Sequence, residues 1–139
     1  MYELEAENAI HFGNLGALQP MHQRGDLDDD FNSLCTWAAE EGQLEILKWL
    51  RENGAPWNEY TCAWAAHDGD LEMLQWARAN GCPLSVHTCA YAVWGGHLEV
   101  LQWARANGCP WDYRTRANAA ANGHTELLSW ARANGAPEA

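Results

Sequence analysis

The residues of this chain that could bind a metal ion or act as nucleophiles include five cysteines and six histidines. Cys35, Cys62 and Cys89 follow one another at a constant interval, and Cys82 and Cys109 are separated by the same interval. The sequence contains neither a Cys-x-x-Cys motif nor a close pair of histidines, so its spacing does not match a zinc site. We interpret the cysteines as small, buried and reduced residues, and we predict neither a metal nor a cofactor.

Other features that could support catalysis are equally sparse. No serine lies in a nucleophile motif, and no glycine-rich loop could hold a phosphate group. The adjacent carboxylates Glu40 and Glu41 lie side by side on a predicted helix and are not expected to converge. His97 and His124 each follow a glycine and are expected to begin a helix. The sequence therefore predicts a protein that is not an enzyme and has no catalytic residues.

The charge of the chain is strongly acidic and unevenly distributed. Its 139 residues include 19 acidic and 8 basic side chains, which gives a net charge of −11. Seven of the acidic residues and one of the basic residues lie within residues 1–30. Such a chain repels phosphate, so we do not expect nucleic acid as a partner. A partner that meets the N-terminal end is expected to be basic there.

Hydropathy argues against a membrane protein. No apolar run reaches the roughly 18 residues that a membrane span requires. The first ten residues contain three glutamates, unlike the basic and then apolar start of a secretory signal. Because 47% of the residues are hydrophobic, the chain can bury a core. We expect one folded domain over residues 1–139, monomeric, without membrane association, and cytoplasmic or nuclear.

A period of 27 residues organises the sequence. It is marked by Gly42, Gly69, Gly96 and Gly123, and equivalent Trp, Arg, Asn-Gly and Pro residues recur in step with these glycines. Four copies span about 33–59, 60–86, 87–113 and 114–139, after a degenerate copy at about 1–32. In the degenerate copy Pro20 takes the place of a tryptophan, so we expect its second helix to kink or end there.

Each copy is predicted to form two short helices. In the copy that starts at residue 60, the first helix is expected to run from Thr61, as its N-cap, to Asp68. The second is expected over residues 70–80, because its apolar residues recur at spacings of three and four. Asn80-Gly81 should end this helix, and only about seven residues, 82–88, then remain for a connecting loop.

The residues that mark each copy resemble the ankyrin repeat. The matching segment is Ala65-Ala66-x-x-Gly69-x-Leu71-Glu72-x-Leu74, followed by Asn80-Gly81-Cys82. An ankyrin unit has about 33 residues, and the residues missing here would form the family's β-hairpin finger. The resemblance implies an all-α fold, an α-solenoid of about five stacked helix-turn-helix repeats without fingers. It also implies a protein-binding module, with part of the usual binding surface removed.

Two sets of aromatic residues occupy equivalent positions and are predicted to pack between units. One set is Trp49, Trp76, Trp103 and Trp130, and the other is Trp37, Trp64 and Tyr91. A constant aromatic residue suits stacking against the neighbouring unit, and Asn118 replaces the second set only in the last unit, where no further unit would cover it. We therefore assign both sets to the core.

Positions that differ between the copies are the candidate contact residues. A scaffold with constant stacking residues and variable exposed ones is typical of recognition, although unconstrained surface would vary too. Trp94 and Trp111 stand out because exposed aromatic residues often anchor interfaces. The candidate partner-binding residues are Glu40, Glu41, Trp57, Tyr60, His67, Asp68, His87, Trp94, Trp111, Tyr113 and Arg114.

These features together predict a module that binds a protein or peptide across the ends of the first helices and the loops between units. The alternative is a structural spacer or self-assembling scaffold element with no specific ligand. Such an element should self-associate as its concentration rises. An enzyme or metal protein is a weaker alternative, and the irregular first copy argues against a consensus design.

Overall fold

The computed structural model describes residues 2–138 and contains ten α-helices and no strand in that part of the chain. The helices are α1 (Tyr2–His11), α2 (Leu15–Gln23), α3 (Phe31–Glu40), α4 (Leu44–Glu52), α5 (Glu59–His67), α6 (Leu71–Ala79), α7 (Val86–Trp94), α8 (Leu98–Ala106), α9 (Tyr113–Ala121) and α10 (Thr125–Ala133). The all-α class that the sequence predicted is confirmed. Met1 and Ala139, the outermost residues of the first and last predicted units, lie outside the described residues.

The helix boundaries recur with the period of the sequence. The even-numbered helices α4, α6, α8 and α10 begin at residues 44, 71, 98 and 125. The odd-numbered helices α5, α7 and α9 begin at residues 59, 86 and 113. Equivalent residues therefore occupy equivalent places in successive helix pairs.

The odd-numbered helices begin earlier than the sequence analysis predicted. The N-cap of α5 is Asn58, whose side-chain oxygen accepts a hydrogen bond from the backbone N–H of Tyr60 at 2.9 Å. Thr61, which was predicted to be the N-cap, is buried in the first turn, and its hydroxyl accepts from the backbone N–H of Asn58. Ser85 and Asp112 are the N-caps of α7 and α9. In α5 and α7 a threonine completes a capping box that begins three residues before it.

The even-numbered helices match their predicted bounds, as α6 illustrates. The side chain of Asp70 caps its start by accepting from the backbone N–H of Met73 at 3.1 Å. Gly81, with a φ of +92°, supplies the left-handed residue that ends it. Since α7 begins at Val86, only residues 82–85 separate Gly81 from the next helix. That connection is too short for a hairpin finger.

Helix α2 continues through Pro20, so the expectation that the helix could end there was wrong. Proline cannot donate a backbone hydrogen bond, but the carbonyl of Pro20 still accepts from the N–H of Arg24 at 3.1 Å. Leu18 and Met21, on either side of it, are buried. Burial of these two side chains holds the helix in place, and the lost hydrogen bond is tolerated.

The odd-numbered helices lie side by side, and each one contacts the next from α1 to α9. The contact between α5 and α7 is the most extensive. The even-numbered helices pack against their odd-numbered partners, as α4 does against α3 and α8 against α7. Leu47, Leu74 and Leu101, at equivalent positions of α4, α6 and α8, are fully buried in the core.

The two aromatic sets that were assigned to the core lie at its edge. Trp49, Trp76, Trp103 and Trp130 are half-buried and pack against fully buried residues. Trp37, Trp64 and Tyr91 are half-buried as well. Small side chains of the odd-numbered helices, such as Ala65 and Ala92, are fully buried instead. The prediction that these rings are core residues was therefore only partly right, because every ring is partly exposed to solvent.

Candidate functional site

Six aromatic rings form one continuous cluster on the outer face of α5 and α7, which we call the aromatic patch. It comprises Tyr60, Trp64 and His67 on α5, and His87, Tyr91 and Trp94 on α7. Within each helix these residues are four and then three positions apart, so they lie on one face. Because the two helices are neighbours in the same register, the two faces form a single surface.

The rings of the aromatic patch contact one another in edge-to-face or tilted arrangements. Trp64 and Tyr91 have ring centroids 5.3 Å apart, and those of Tyr91 and Trp94 are 5.6 Å apart. His67 lies 4.5 Å from Trp94, and at the other end of the patch Tyr60 lies 5.0 Å from His87. These separations are those at which aromatic pairs attract.

Much of the aromatic patch is open to solvent. Trp94 is 46% exposed and Tyr60 is 37% exposed, which places them among the most exposed large hydrophobic residues of the described chain. Trp64 and Tyr91 are half-buried beneath them. Burial and the nearby Tyr60 raise the pKa of the Tyr91 hydroxyl, so it is a neutral donor or acceptor at physiological pH.

Gly95 brings the end of α7 close to the end of α5. Its φ of −78° is ordinary for a helix, so glycine is not required here for backbone conformation. A Cβ at this position would collide with the backbone carbonyl oxygen of His67 and would press on the imidazole of His97. Because residue 95 has no side chain, Trp94 can lie against His67 of the neighbouring helix α5.

Three carboxylates border the aromatic patch on the side of α3, and we call them the acidic rim. They are Glu40 and Glu41 at the end of α3 and Asp68 after the end of α5. Asp68 contacts the patch directly, since its Oδ1 lies 3.2 Å from Nδ1 of His67. Glu41 faces α1, and its Oε2 lies 2.8 Å from Nδ1 of His11.

Partial burial, and then mutual repulsion, raise the pKa of two carboxyl groups in the acidic rim. Burial, Glu41 and Asp68 raise the pKa of Glu40, and His67 opposes them. Burial raises the pKa of Asp68, the hydrogen bond to His67 lowers it, and Asp70 and Glu41 add repulsion. The folded chain therefore binds these protons more tightly than the unfolded chain does. Its stability falls as pH rises from the ordinary carboxyl pKa through the raised value.

Replacement of Glu40 by glutamine is therefore expected to keep or raise the free energy of unfolding at pH 7, by no more than about 0.5 kcal/mol. The difference from wild type should vanish below the ordinary pKa of the carboxyl, where wild-type Glu40 is also neutral. Chemical denaturation at pH 7 and at low pH measures both values. Glu72→Gln is the control, because Glu72 lies in the first turn of α6 and stabilises that helix. A loss for Glu40→Gln at pH 7 as large as for Glu72→Gln would contradict the proposed repulsion.

A pocket of about 330 Å³ extends from the acidic rim towards α1. It is lined by Glu7, Asn8, Ile10, His11, Trp37, Glu40 and Glu41. Three of its seven lining residues are acidic, and one contributes an indole ring. The acidic surface beside the aromatic patch therefore extends from α5 across α3 to α1.

The structure brings together seven of the eleven residues that the sequence analysis selected. These are Tyr60, His67, His87 and Trp94 in the aromatic patch, and Glu40, Glu41 and Asp68 in the acidic rim. Tyr113 is 48% exposed on α9, with the Arg114 guanidinium 5.6 Å from its ring centroid. Those two residues extend the odd-numbered layer beyond α7 but do not belong to the ring cluster.

Trp57 and Trp111, which were selected as contact residues, pack against the chain itself. The Trp57 ring lies 5.7 Å from that of Trp76, and the Arg51 guanidinium lies 4.2 Å from its centroid. Trp111 and Trp130 have ring centroids 6.1 Å apart. Both loop tryptophans are half-buried, so the expectation that Trp111 is an exposed anchor was wrong. The loop folds back onto the following even-numbered helix and covers the indole.

Trp64 and Tyr91 belong to the aromatic patch, but the sequence analysis assigned them to the core. The helical spacing between these two residues and the selected ones could have placed them in the same patch. Tyr60, Trp64 and His67 occupy one helical face, and the equivalent residues follow in the next unit. An aromatic residue at the same position in successive units predicted packing between units. The two rings are only half-buried, so they also belong to the surface.

All five cysteines are free and buried, as predicted. The thiols of Cys82 and Cys109 donate to the backbone carbonyls of Asn58 and Ser85, at 3.4 and 3.1 Å. The neighbouring thiol of Cys82 and burial raise the pKa of Cys62, and the thiol of Cys109 and burial raise that of Cys89. Burial raises the pKa of Cys35, which has no such partner, to about 12. The same contacts lower the pKa of Cys82 and Cys109, and burial opposes that change.

The native protein is accordingly expected to react with a thiol reagent such as Ellman's reagent only at its rate of unfolding. All five thiols should become reactive once the protein is denatured, because a buried thiol is not accessible to the reagent. A time course in buffer and in denaturant measures this. Rapid labelling of one or more thiols in the folded protein would contradict the burial of the cysteine set.

Among the described residues, no group of three or more His, Cys, Asp and Glu side chains is arranged to hold a metal ion. No helix within residues 2–138 has the length and apolar character needed to cross a bilayer. No protein-family model matches the chain, and no curated protein sequence matches it.

Proposed function

We propose that this protein is a non-enzymatic interaction module that binds a protein or peptide across the aromatic patch and the acidic rim. In this proposal the ten helices form an ankyrin-like α-solenoid of five helix pairs. Two features support that architecture: the helix boundaries recur every 27 residues, and each odd-numbered helix contacts the next. In such arrays the variable surface of neighbouring units forms one extended binding site.

The observation that carries the proposal is the aromatic patch. Trp94 and Tyr60 are exposed on a rigid base of packed rings, so binding would cost little side-chain entropy. Tryptophan and tyrosine are enriched among the residues that contribute most to binding at protein interfaces. A continuous aromatic surface of this kind is unusual on a protein that has no partner.

Charge defines the chemistry of the partner. The acidic rim and the pocket beside it place Glu7, Glu40, Glu41 and Asp68 along one edge of the aromatic patch. The net charge of −11 adds a long-range attraction for cations. Such a field accelerates the approach of a basic segment and orients it with its cationic end towards α1 and α3.

Selection from a random-peptide display library tests this function directly. The library is selected on immobilised wild-type protein, and the enriched peptides are synthesised. Their affinity is then measured for wild type and for a variant that carries both Tyr60→Ser and Trp94→Ser. Removal of two exposed anchors is expected to weaken binding at least about thirtyfold. Circular dichroism checks that the variant keeps its helices.

Equal affinity for wild type and the double variant would refute the proposed site, and so would the absence of any enriched peptide. Sedimentation over a range of concentrations tests the alternative of a self-assembling scaffold. We expect a constant monomer mass. A mass that rises with concentration and falls again in the double variant would assign the aromatic patch to self-association.

A further inference from the structure

We propose, on the basis of the proposed function, that the aromatic patch and the acidic rim receive an arginine side chain of the partner. Its guanidinium would stack on the exposed ring of Trp94 and donate hydrogen bonds to the carboxylate of Asp68. The ligand class is therefore a peptide segment that contains arginine, and lysine would be a poorer substitute.

The geometry that supports this proposal is a short chain of contacts from Trp94 to Asp68. The imidazole of His67 lies 4.5 Å from the Trp94 ring centroid, and its Nδ1 lies 3.2 Å from the Asp68 carboxylate. One imidazole thus separates an exposed aromatic face from a carboxylate. A side chain with a flat cationic end could contact both groups at once.

The chain itself uses stacked arginine side chains at two equivalent places. The guanidinium of Arg51 lies 4.2 Å from the Trp57 ring centroid and donates to the carbonyl of Ala55 at 2.7 Å. Arg105 lies 4.2 Å from the Trp111 centroid and donates to the carbonyl of Cys109 at 2.6 Å. An indole face beside an oxygen acceptor therefore holds arginine in this fold.

The aromatic patch offers the same combination without a cation from the chain. None of the eight lysine and arginine side chains, all of which lie in the described part of the chain, is placed over Trp64 or Trp94. Aromatic faces attract cations most strongly when these are partly desolvated, and arginine is found on them more often than lysine. The patch therefore matches a cation supplied by another molecule.

The acidic rim strengthens this match. Glu40, Glu41 and Asp68 repel one another, and part of that repulsion is relieved when a cation lies among them. A guanidinium can donate to two carboxylate oxygens at once, whereas an ammonium acts as a point charge. Stacking and paired hydrogen bonding together favour arginine.

Three synthetic peptides that differ at one kind of residue test the inference. The first has the sequence Ser-Gly-Arg-Gly-Ser-Gly-Arg-Gly-Ser, and the other two carry lysine or the neutral, planar citrulline in place of both arginines. Each is titrated into ¹⁵N-labelled protein while the indole N–H signals of the nine tryptophans are followed. The arginine peptide should shift the Trp94 signal, and the lysine peptide should bind about two- to fivefold more weakly. The citrulline peptide should bind more weakly than both.

Variants identify the carboxylate and the ring. Asp68→Asn is expected to weaken binding of the arginine peptide about two- to fivefold, and Trp94→Leu should remove the preference for arginine over lysine. Glu126→Gln is the control, because Glu126 is exposed on α10, far along the chain from the patch, and should leave binding unchanged.

Equal affinities for the arginine and lysine peptides would overturn the inference, and so would shifts confined to tryptophans outside the patch. Failure of the proposed function would look different. If library-selected peptides require Tyr60 and Trp94 but keep their affinity when arginine is replaced by lysine, the binding module stands and the arginine site does not. If no peptide of either origin depends on the patch, both proposals fail.

Discussion

Gly95→Ala should lower the free energy of unfolding by about 2 kcal/mol, although it adds a single methyl group. The added Cβ would meet the backbone carbonyl of His67, which cannot move unless the whole of α5 shifts. The contact between α5 and α7 is the most extensive between any two helices, so the strain falls at the centre of the molecule. Chemical denaturation of purified wild type and variant measures the loss.

Gly16→Ala is the matched control for that substitution. Gly16 lies in α2, and a Cβ there would make only an ordinary contact, 3.6 Å from the side chain of Asn14. Alanine at this position should raise stability by about 0.5–1 kcal/mol, because glycine lowers the stability of a helix. If Gly95→Ala stabilises the protein as Gly16→Ala does, the close approach of α7 to α5 is wrong.

Trp94→Ala should weaken the affinity for a library-selected peptide about thirtyfold, while the free energy of unfolding falls less than it does for Trp111→Ala. Trp94 is 46% exposed, so alanine creates no buried cavity. In the complex, by contrast, the indole would be covered by the partner and would contribute most of its binding energy. Isothermal titration calorimetry measures the affinity, and denaturation measures the stability.

Trp111→Ala should have the opposite profile. Its indole is held between Arg105 and Trp130, so the substitution should lower stability and leave the affinity for the peptide unchanged. The two tryptophans were equivalent candidates by sequence, and the pair of variants therefore distinguishes exposed from packed aromatic residues. Similar losses of affinity for both variants would remove the special role of the aromatic patch.

Local signals in the sequence predicted the helices well, and the reason is visible at the turns. Gly69 and Gly81 adopt positive φ, which glycine tolerates best, so they end helices wherever they occur in the period. The N-cap of α5 was misplaced because Thr61 and Asn58 are both good caps, and only burial of the threonine decides between them. Similarly, Pro20 was expected to disrupt α2, but burial of its neighbours in the core outweighs one hydrogen bond.

The aromatic patch could be predicted only in part, because it arises from contacts between helices. Variation between units identified Tyr60, His67, His87 and Trp94, yet constancy hid Trp64 and Tyr91. A half-buried ring packs against the core and also remains accessible at the surface. A sequence pattern does not separate these two roles. The loop tryptophans were misassigned for a related reason, since exposure in a loop depends on which helix the loop folds against.

The most direct test of the central claim is hydroxyl-radical footprinting of the wild-type protein with and without a library-selected peptide. The nine tryptophans lie on different surfaces and report separately by mass spectrometry. The bound peptide should slow the modification of Trp64, Tyr91 and Trp94. It should not change the modification rate of the tryptophans on the even-numbered helices, which are Trp49, Trp76, Trp103 and Trp130. Protection of this second group, with Trp94 as reactive as in the free protein, would contradict binding at the aromatic patch.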